Sequence, residues 1–257
     1  MTWDPAQYLK FAGERLRPAS DLLSRIPLAA PESVVDLGCG AGTVLPLLAQ
    51  RFPQARLVGV DGSAPMLARA RAEYPRVELV HADLAAWRPP APVDLLYSNA
   101  ALHWLPAHDT LIPGLLDALK PGGYLAIQMP RNFAAPSHTC IIDAIEQGPF
   151  RQRLLPYLRR QPVAAPAHYY RLLRPRVATL ELWESEYLQV LSGDNPVAEY
   201  TKGSWLQQFL ALLDEPERRA FEADYRARVR AAYPPEPGGH TLFPFRRLFI
   251  IAQLAAG

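Results

Sequence analysis

The order of apolar segments from residue 33 onward constrains the fold of this chain most. Short apolar runs rich in β-branched residues alternate with segments whose apolar residues recur at helical spacing. Continuous apolar strands separated by helices are typical of a parallel sheet that is covered on both faces. The predicted strands are residues 33–37, 55–61, 77–83, 93–98 and 124–129, and the predicted helices between them are residues 44–51, 65–73 and 111–119. Residues 120–123, K-P-G-G, predict a helix stop and a tight turn into the fifth strand.

Two later segments, residues 178–191 and 248–254, are predicted to close the sheet, and residues 19–25 and 205–233 are predicted to be helical. The sequence therefore predicts an α/β fold, a Rossmann-like doubly wound sheet of seven mostly parallel strands with helical cap insertions. In this division residues 1–30 are an N-terminal helical cap segment and residues 31–130 are the Rossmann-like core. Residues 131–257 supply cap insertions and the final strands.

The composition excludes several classes of protein. A chain of 257 residues with 49% hydrophobic and 20% charged residues is ordinary for a globular α/β protein. No apolar run approaches the roughly 18 residues of a membrane helix, and the start lacks a signal pattern, so a cytoplasmic location without membrane association is expected. Cys39 and Cys140 have neither the number nor the spacing of a disulfide framework or a metal site. No metal is expected.

Charge is unevenly distributed along the chain. The formal net charge of +2 is too small to indicate a nucleic-acid-binding protein. Residues 131–180, however, hold eight arginines against Asp143 and Glu146. This excess of positive charge indicates either an anionic ligand or a solvated basic surface.

A glycine-rich segment follows the first predicted strand. Residues 36–42 read D-L-G-C-G-A-G, and glycines at a strand end let the chain turn sharply and let a ligand approach the backbone. The third glycine comes one residue earlier than in the dinucleotide-binding pattern G-x-G-x-x-G, where Thr43 stands instead. The form G-x-G-x-G after an acidic residue resembles the motif of S-adenosylmethionine-dependent methyltransferases. This resemblance assigns four residues to the cofactor site: Asp36, Gly38, Gly40 and Gly42.

Acidic residues also end the second and third predicted strands. Asp61 is placed to accept hydrogen bonds from both ribose hydroxyls, a chemistry shared with NAD sites. The resemblance puts an acidic residue, here Asp83, near the adenine amine. Met66 packs either in the core or against the adenine. The predicted cofactor site is completed by Leu84 and Asn99. The cofactor implied is S-adenosyl-L-methionine, with S-adenosyl-L-homocysteine as its product.

Segments outside the glycine loop resemble the trans-aconitate 2-methyltransferases over nearly the whole chain. They include W-D-P at residues 3–5, D-L-L-S-R-I-P at 21–27, Y-S-N-A-A-L-H-W-L-P at 97–106, Q-M-P-R-N-F at 128–133, P-S-H at 136–138, K-G-S at 202–204 and R-L-F-I-I-A at 247–252. The resemblance implies carboxyl O-methylation of a small polycarboxylic acid to a monomethyl ester. These segments are far more specific than the cofactor motif, which many unrelated methyltransferases share.

A polycarboxylate substrate requires cationic and neutral hydrogen-bond donors. Arginine suits carboxylates best because its planar fork donates two parallel hydrogen bonds. The candidate substrate-binding residues are Tyr8, Arg15, Arg17, Arg131, His168, Tyr170, Lys202 and Arg247. The predicted partners are thus a small anionic carboxylic acid and no nucleic acid, in a monomer or homodimer.

His103 and Trp104 follow the fourth predicted strand and are the candidate catalytic residues. An ionised carboxylate needs no general base, so His103 is interpreted as a hydrogen-bond donor or pocket wall, and Trp104 as a residue that shapes the pocket. An amine or phenol acceptor would give His103 the role of a base. A malonyl thioester and, with the arginine-rich segment as phosphate ligand, an RNA are further alternatives. Gln207 stands where the family has an arginine, which leaves the identity of the acid open.

Overall fold

The structure is a computed structural model that describes residues 12–256, with the side chains of residues 12, 14 and 15 left undescribed. Its strands are β1 (Ser33–Leu37), β2 (Arg56–Asp61), β3 (Glu78–His81), β4 (Val93–Asn99), β5 (Leu119–Pro130), β6 (Val177–Leu191) and β7 (Thr241–Leu254). Its helices are α1 (Ala12–Ser24), α2 (Leu45–Arg51), α3 (Ala64–Glu73), α4 (His108–Leu116), α5 (Pro136–Gln147), α6 (Arg151–Leu154), α7 (Pro166–Leu173), α8 (Pro196–Lys202), α9 (Gln207–Leu210) and α10 (Glu215–Ala232). Single 3₁₀ turns occupy Leu102–Trp104, Leu155–Tyr157 and Arg174–Arg176.

The seven strands form one sheet in the order β3-β2-β1-β4-β5-β7-β6. Strands β1 to β5 pair in parallel, whereas β7 runs antiparallel to β5. After β1 the chain therefore adds β2 and β3 on one side of β1, and it then crosses over to place β4 on the other side of β1. This confirms the predicted doubly wound, mostly parallel sheet. In such sheets a ligand binds at the carboxyl ends of the strands where the order reverses, which here is the end of β1 next to β4.

Most predicted elements agree with the structure within a few residues. The predicted helix 205–233 is instead two helices, because Asp214 starts α10 with a capping box in which its side chain and that of Glu217 each bond the other's backbone N–H. The K-P-G-G segment lies inside β5, where the pairing with β4 is irregular between Val93 and Leu95. Gly122 has a positive φ of 77°, so a turn-like conformation opens this strand.

The described chain divides into two compact units. The core unit comprises residues 12–130, 163–185 and 247–256, and the second unit comprises residues 131–162 and 186–246. The long strands β6 and β7 contribute residues to both. The predicted division into 1–30, 31–130 and 131–257 shares the boundary between Pro130 and Arg131 with these units. Helix α1 belongs to the core unit because the Tyr97 hydroxyl donates a hydrogen bond of 2.8 Å to the Ala19 carbonyl.

In the second unit, α10 packs against α5 and α8. The buried Tyr225 of α10 joins these helices, since its hydroxyl donates to the Ser137 carbonyl at 3.0 Å and lies 2.7 Å from the Thr201 hydroxyl. None of the described helices is long and apolar enough to cross a membrane.

Candidate functional site

Hydrogen bonds attach the glycine loop to β2. The backbone N–H groups of Gly38 and Cys39 both donate to the Val60 carbonyl, at 2.7 and 3.1 Å. The Gly40 N–H donates to Asp61 Oδ2 at 2.8 Å, and the Ser63 N–H donates to Asp61 Oδ1 at 2.7 Å. Asp61 therefore links the glycine loop to the start of α3. The Cys39 side chain is buried in the cluster of Leu45 and Leu67, where it serves as a small packing residue.

Two carboxylates lie close together under this loop. Asp36 is 1% exposed in β1, and its Oδ2 is buried without a hydrogen-bond partner among the described residues. Burial, and to a smaller extent the negative charge of Asp61, raise the pKa of Asp36 to about 7. Burial also raises the pKa of Asp61, although the N–H groups of Ser63 and Gly40 oppose this shift. Acceptor oxygens and negative charge are therefore concentrated beside the glycine loop.

Several features fit the predicted S-adenosylmethionine. Within the described residues each Asp61 oxygen accepts one backbone N–H, so both keep a lone pair for a ribose hydroxyl. Asn99 Oδ1 is buried at the end of β4 without a described partner. A Cβ built on Gly40 would meet no atom within 4 Å, so the backbone there faces open space. Acceptors and open space thus coincide at the carboxyl ends of β1, β2 and β4.

The remaining predicted cofactor residues lie around this edge of the sheet. Met66 is buried in α3, at 6% exposure. Asp83 is exposed and accepts the Ala85 N–H at 3.0 Å, and Leu84 is half-buried beside Gly38. Their contact with adenine stays a prediction.

The turn after β4 packs directly on the glycine loop. A Cβ built on Gly38 would lie 2.1 Å from the Ala101 Cβ, so only glycine allows this approach. Ala100 has a positive φ of 52°, which turns the chain into the 3₁₀ turn Leu102–Trp104. His103 is buried and its ring centroid lies 4.7 Å from that of the half-buried Trp104. The candidate catalytic residues therefore adjoin the loop predicted to bind the cofactor.

A buried chain of hydrogen bonds holds this turn in place. His108 Nε2 lies 2.9 Å from the Leu102 carbonyl, and its Nδ1 lies 2.7 Å from the Tyr169 hydroxyl. Because a carbonyl accepts only, His108 donates from Nε2, and in the neutral ring Nδ1 then accepts from the Tyr169 hydroxyl. The Tyr169 oxygen in turn accepts the Ala164 N–H at 3.2 Å. Helix α7 is thereby connected to the turn that carries His103.

Tyr169→Phe is expected to lower the free energy of unfolding by about 1–3 kcal/mol, because it leaves the buried His108 Nδ1 and the Ala164 N–H with one partner fewer. Urea unfolding followed by circular dichroism measures the change. The matched control is Tyr170→Phe, since Tyr170 is 50% exposed. A loss of stability in the control as large as in Tyr169→Phe would contradict the structural role of this hydrogen-bond chain.

A second buried polar pair lies across β5 and β7. Gln128 is 0% exposed and Arg247 is 2% exposed, and the Arg247 guanidinium donates to Gln128 Oε1 at 3.4 Å. Gln128 pairs with Asn99 of β4 on one side and with Phe249 of β7 on the other. Side chains of directly paired residues lie on the same face of a sheet. Asn99 and Gln128 therefore share one face, and the predicted substrate ligand Arg247, two residues before Phe249 on β7, lies on that same face.

The other substrate candidates of the core unit differ in their surroundings. Arg17 is exposed on α1. His168 Nε2 lies 2.7 Å from Asp109 Oδ1, and Tyr170 is half exposed on α7. Arg15 lies on α1 with its side chain undescribed, and Tyr8 lies outside the described residues.

Two further candidates belong to the second unit. Arg131 is half-buried, and its N–H donates to the Arg246 carbonyl at 2.9 Å. Lys202 Nζ contacts both carboxylate oxygens of Glu222, at 2.7 and 2.9 Å, so Lys202 is already engaged in an ion pair. Gln207, at the position where the resemblance predicts an arginine, is half-buried in α9.

Intramolecular ion pairs neutralise part of the arginine-rich segment. Arg153 lies 2.5 Å from Glu217, Arg160 pairs with Glu146, and Arg176 pairs with Asp117. These three arginines are therefore structural partners of carboxylates. The pattern favours the solvated-surface interpretation for this part of the segment.

Sequence reasoning missed Gln128 and His108, and it named Tyr169 only as a neutral donor to the substrate, whereas the structure buries Tyr169 against His108. Gln128 interrupts the apolar strand L-A-I-Q-M, and a polar residue inside a buried strand is a signal that it has a partner or a ligand. No comparable signal identifies the pairing of His108 with Tyr169, because it joins helices distant in sequence.

Comparisons with known proteins agree with this geometry. A family model described as a methyltransferase domain matches residues 34–123. A trans-aconitate 2-methyltransferase of Azoarcus sp. (strain BH72) is 51% identical over 251 residues, which cover 98% of each chain. One from Streptomyces coelicolor is 45% identical and covers 100% of this chain and 88% of its own. A solved S-adenosylmethionine-dependent methyltransferase from Thiobacillus denitrificans, in complex with S-adenosyl-L-homocysteine, shares the fold with a TM-score of 0.56 at 18% identity, over 99% of this chain and 100% of its own.

Proposed function

Because this chain belongs to the trans-aconitate 2-methyltransferase family, we propose that it transfers a methyl group from S-adenosylmethionine to a carboxylate of trans-aconitate. The products are a monomethyl ester and S-adenosyl-L-homocysteine. The observation that carries the proposal is full-length identity of 51% to a relative of that name, together with an intact cofactor loop. Full-length similarity is decisive because the cofactor motif alone does not specify an acceptor.

The residues that would hold the cofactor are those of the glycine loop and its acceptors. Asp61 is positioned to accept from the ribose hydroxyls, and Gly40 leaves space at the backbone. Asp36 and Asn99 present buried acceptor atoms that suit the ammonium group of the cofactor. When bound, the cofactor supplies an electrophilic methyl group on a sulfonium ion. Met66, Asp83 and Leu84 are assigned to the adenine.

The acceptor requires orientation more than activation. A carboxylic acid has an ordinary pKa near about 4, so the carboxylate is already ionised at neutral pH and no general base is needed. Its oxygen forms a bond to the methyl carbon while the carbon–sulfur bond breaks, and that electron pair stays on sulfur. Well-oriented reactants gain on the order of 7–11 kcal/mol from such positioning. His103 is therefore assigned as a donor or pocket wall, and Trp104 as a residue that shapes the pocket.

Cationic side chains must compensate the charge of the acid. Buried Arg247 has the strongest claim among the described candidates, because a guanidinium in a low-dielectric environment interacts strongly with a carboxylate. Arg17, Arg131 and His168 are further candidates, with Tyr170 as a neutral donor. Lys202 is assigned a smaller role because Glu222 already contacts it.

The test is incubation with radiolabelled S-adenosylmethionine and a panel of acids that includes trans-aconitate, cis-aconitate, citrate and a dicarboxylate. We expect labelled, base-labile ester with trans-aconitate, and the largest kcat/KM for it. Calorimetry is expected to show binding of S-adenosylmethionine and none of NAD, because Gly42 rather than residue 43 completes the loop.

Two results would contradict parts of this proposal separately. Absence of heat with S-adenosylmethionine would overturn the methyltransferase assignment. If the cofactor binds but labelled product forms only from a dicarboxylate, the substrate is a smaller acid than trans-aconitate. The neutral Gln207, where the resemblance predicts an arginine, would then explain why one carboxylate fewer is bound. The cytoplasmic location and the choice between monomer and homodimer stay predictions.

A further inference from the structure

The amide of Gln128 has only one possible orientation toward Arg247. Arginine carries five N–H donors and no acceptor, so the side chain it contacts must present an oxygen. The contact of 3.4 Å from Arg247 Nη1 to Gln128 Oε1 satisfies this requirement. The NH₂ group of Gln128 must then point away from that contact. Its Nε2 is buried and has no hydrogen-bond partner among the described residues.

An unpaired buried donor is costly, since leaving it without an acceptor destabilises a protein. Apolar side chains also adjoin Gln128 on its own face of the sheet. Its strand partner Phe249 stacks on Trp183, with ring centroids 4.6 Å apart, and the guanidinium of Arg25 covers Trp183 at 4.4 Å. Hydrogen bonds are strong in such surroundings because water does not compete for the donor.

We propose that Gln128 Nε2 and the Arg247 guanidinium together form a subsite for one carboxylate of the acid substrate. The inference rests on the proposed function and names a residue for it. A carboxylate fits because it offers only acceptors, which suit both the NH₂ group of Gln128 and the N–H fork of a guanidinium. Gln128 would orient that carboxylate, and Arg247 would supply most of the attraction.

The position of this pair in the sheet separates it from the cofactor loop. Strands β4 and β5 lie between β1 and β7, so Arg247 is roughly 14 Å from β1 at the usual strand spacing. Asn99 of β4 lies between the two in the register. The subsite is therefore assigned to the methyl acceptor, and binding of S-adenosylmethionine is expected to be independent of it.

The test is steady-state kinetics and calorimetry of Gln128→Leu. We expect KM for the acid to rise about 10- to 100-fold, because the substitution removes a hydrogen bond to the charged carboxylate. The Kd for S-adenosylmethionine is expected to stay within about twofold. Gln128→Glu is the second variant, because its carboxylate still accepts from Arg247 and the fold is kept. Its negative charge is expected to raise KM at least as much.

The matched control is Gln189→Leu. Both amide atoms of Gln189 are buried without a described partner, so no described hydrogen bond joins its side chain to Gln128 or Arg247. We expect its KM for the acid to equal that of the wild type. An unchanged KM in both Gln128 variants, or an equal loss of acid and cofactor binding, would overturn the subsite.

A failure of the proposed function can be distinguished from a failure of the subsite. If the wild type binds S-adenosylmethionine but methylates none of the acids, the function fails on its own. Calorimetry with trans-aconitate and citrate then tests the subsite directly. Tighter binding by the wild type than by Gln128→Leu would support it, and equal or absent binding in both would overturn it.

Discussion

Gly38→Ala is expected to lower the free energy of unfolding by about 2–5 kcal/mol and to weaken S-adenosylmethionine binding at least about 10-fold. The positive φ of 83° at Gly38 costs an alanine about 1–2 kcal/mol, and the added Cβ would lie 2.1 Å from the Ala101 Cβ. Overpacking of this kind costs about 1–3 kcal/mol more. Either the glycine loop or the turn that carries His103 must then move.

Gly40→Ala is the matched variant, because it places the same methyl group two residues away in a different environment. Its φ of 55° is also positive, but a Cβ there meets no atom within 4 Å. We expect a smaller loss of stability, about 1–2 kcal/mol, from backbone strain alone. The methyl group would project into the space predicted to hold the cofactor. We therefore expect cofactor affinity to fall at least about 10-fold.

Urea unfolding without ligand and calorimetry with S-adenosylmethionine measure the two effects separately. Equal destabilisation of the two variants would contradict the packing role of Gly38. Wild-type cofactor affinity in Gly40→Ala would contradict the position of the ligand beside Gly40. The pair thus distinguishes a glycine required by the fold from one required by the ligand.

Asp36→Asn is expected to stabilise the ligand-free protein at alkaline pH. Burial, followed by the charge of Asp61, raises the pKa of Asp36 from the ordinary 3.8 to about 7. The unfolded chain therefore releases this proton at a lower pH than the folded chain. Stability falls as pH rises between these two values and is constant above about 7, where the full cost of the ionised carboxylate is about 4 kcal/mol.

Unfolding free energies of both proteins at pH 5 and pH 8 provide the measurement. The advantage of Asp36→Asn over the wild type is expected to be about 2–3 kcal/mol larger at pH 8 than at pH 5. We also expect cofactor affinity to fall at least about 10-fold, because the amide lacks the charge that suits an ammonium group. The same advantage at both pH values would show that Asp36 does not titrate in this range.

Much of the fold was predictable because its signals are local. The alternation of apolar strands and helices predicts the parallel sheet, and the structure has the predicted β1 at the same residues, Ser33–Leu37. The break between α9 and α10 was missed, although Asp214 and Glu217 carry the sequence signature of a capping box. An apolar pattern that continues across the break concealed the helix start.

The candidate site was predictable only where a motif carries it. The glycine loop and Asp61 could be assigned because their spacing follows from the path of one strand and one turn. Arg247 could be named from resemblance, but its partner Gln128 lies 119 residues away in sequence. Lys202 was named for its positive charge, and its ion pair with Glu222 could not be foreseen because it depends on how α8 and α10 pack.

The sequence by itself determined the fold class, the cofactor loop and the family, because periodicity, spacing and overall identity are properties of residue order. Tertiary structure alone decided which glycine serves packing, how far burial raises the pKa of Asp36, and which buried amide faces Arg247. Each of these depends on side chains that come from distant strands and on the exclusion of water between them. Desolvation and steric contact are set by those neighbours, and the order of residues does not encode them locally.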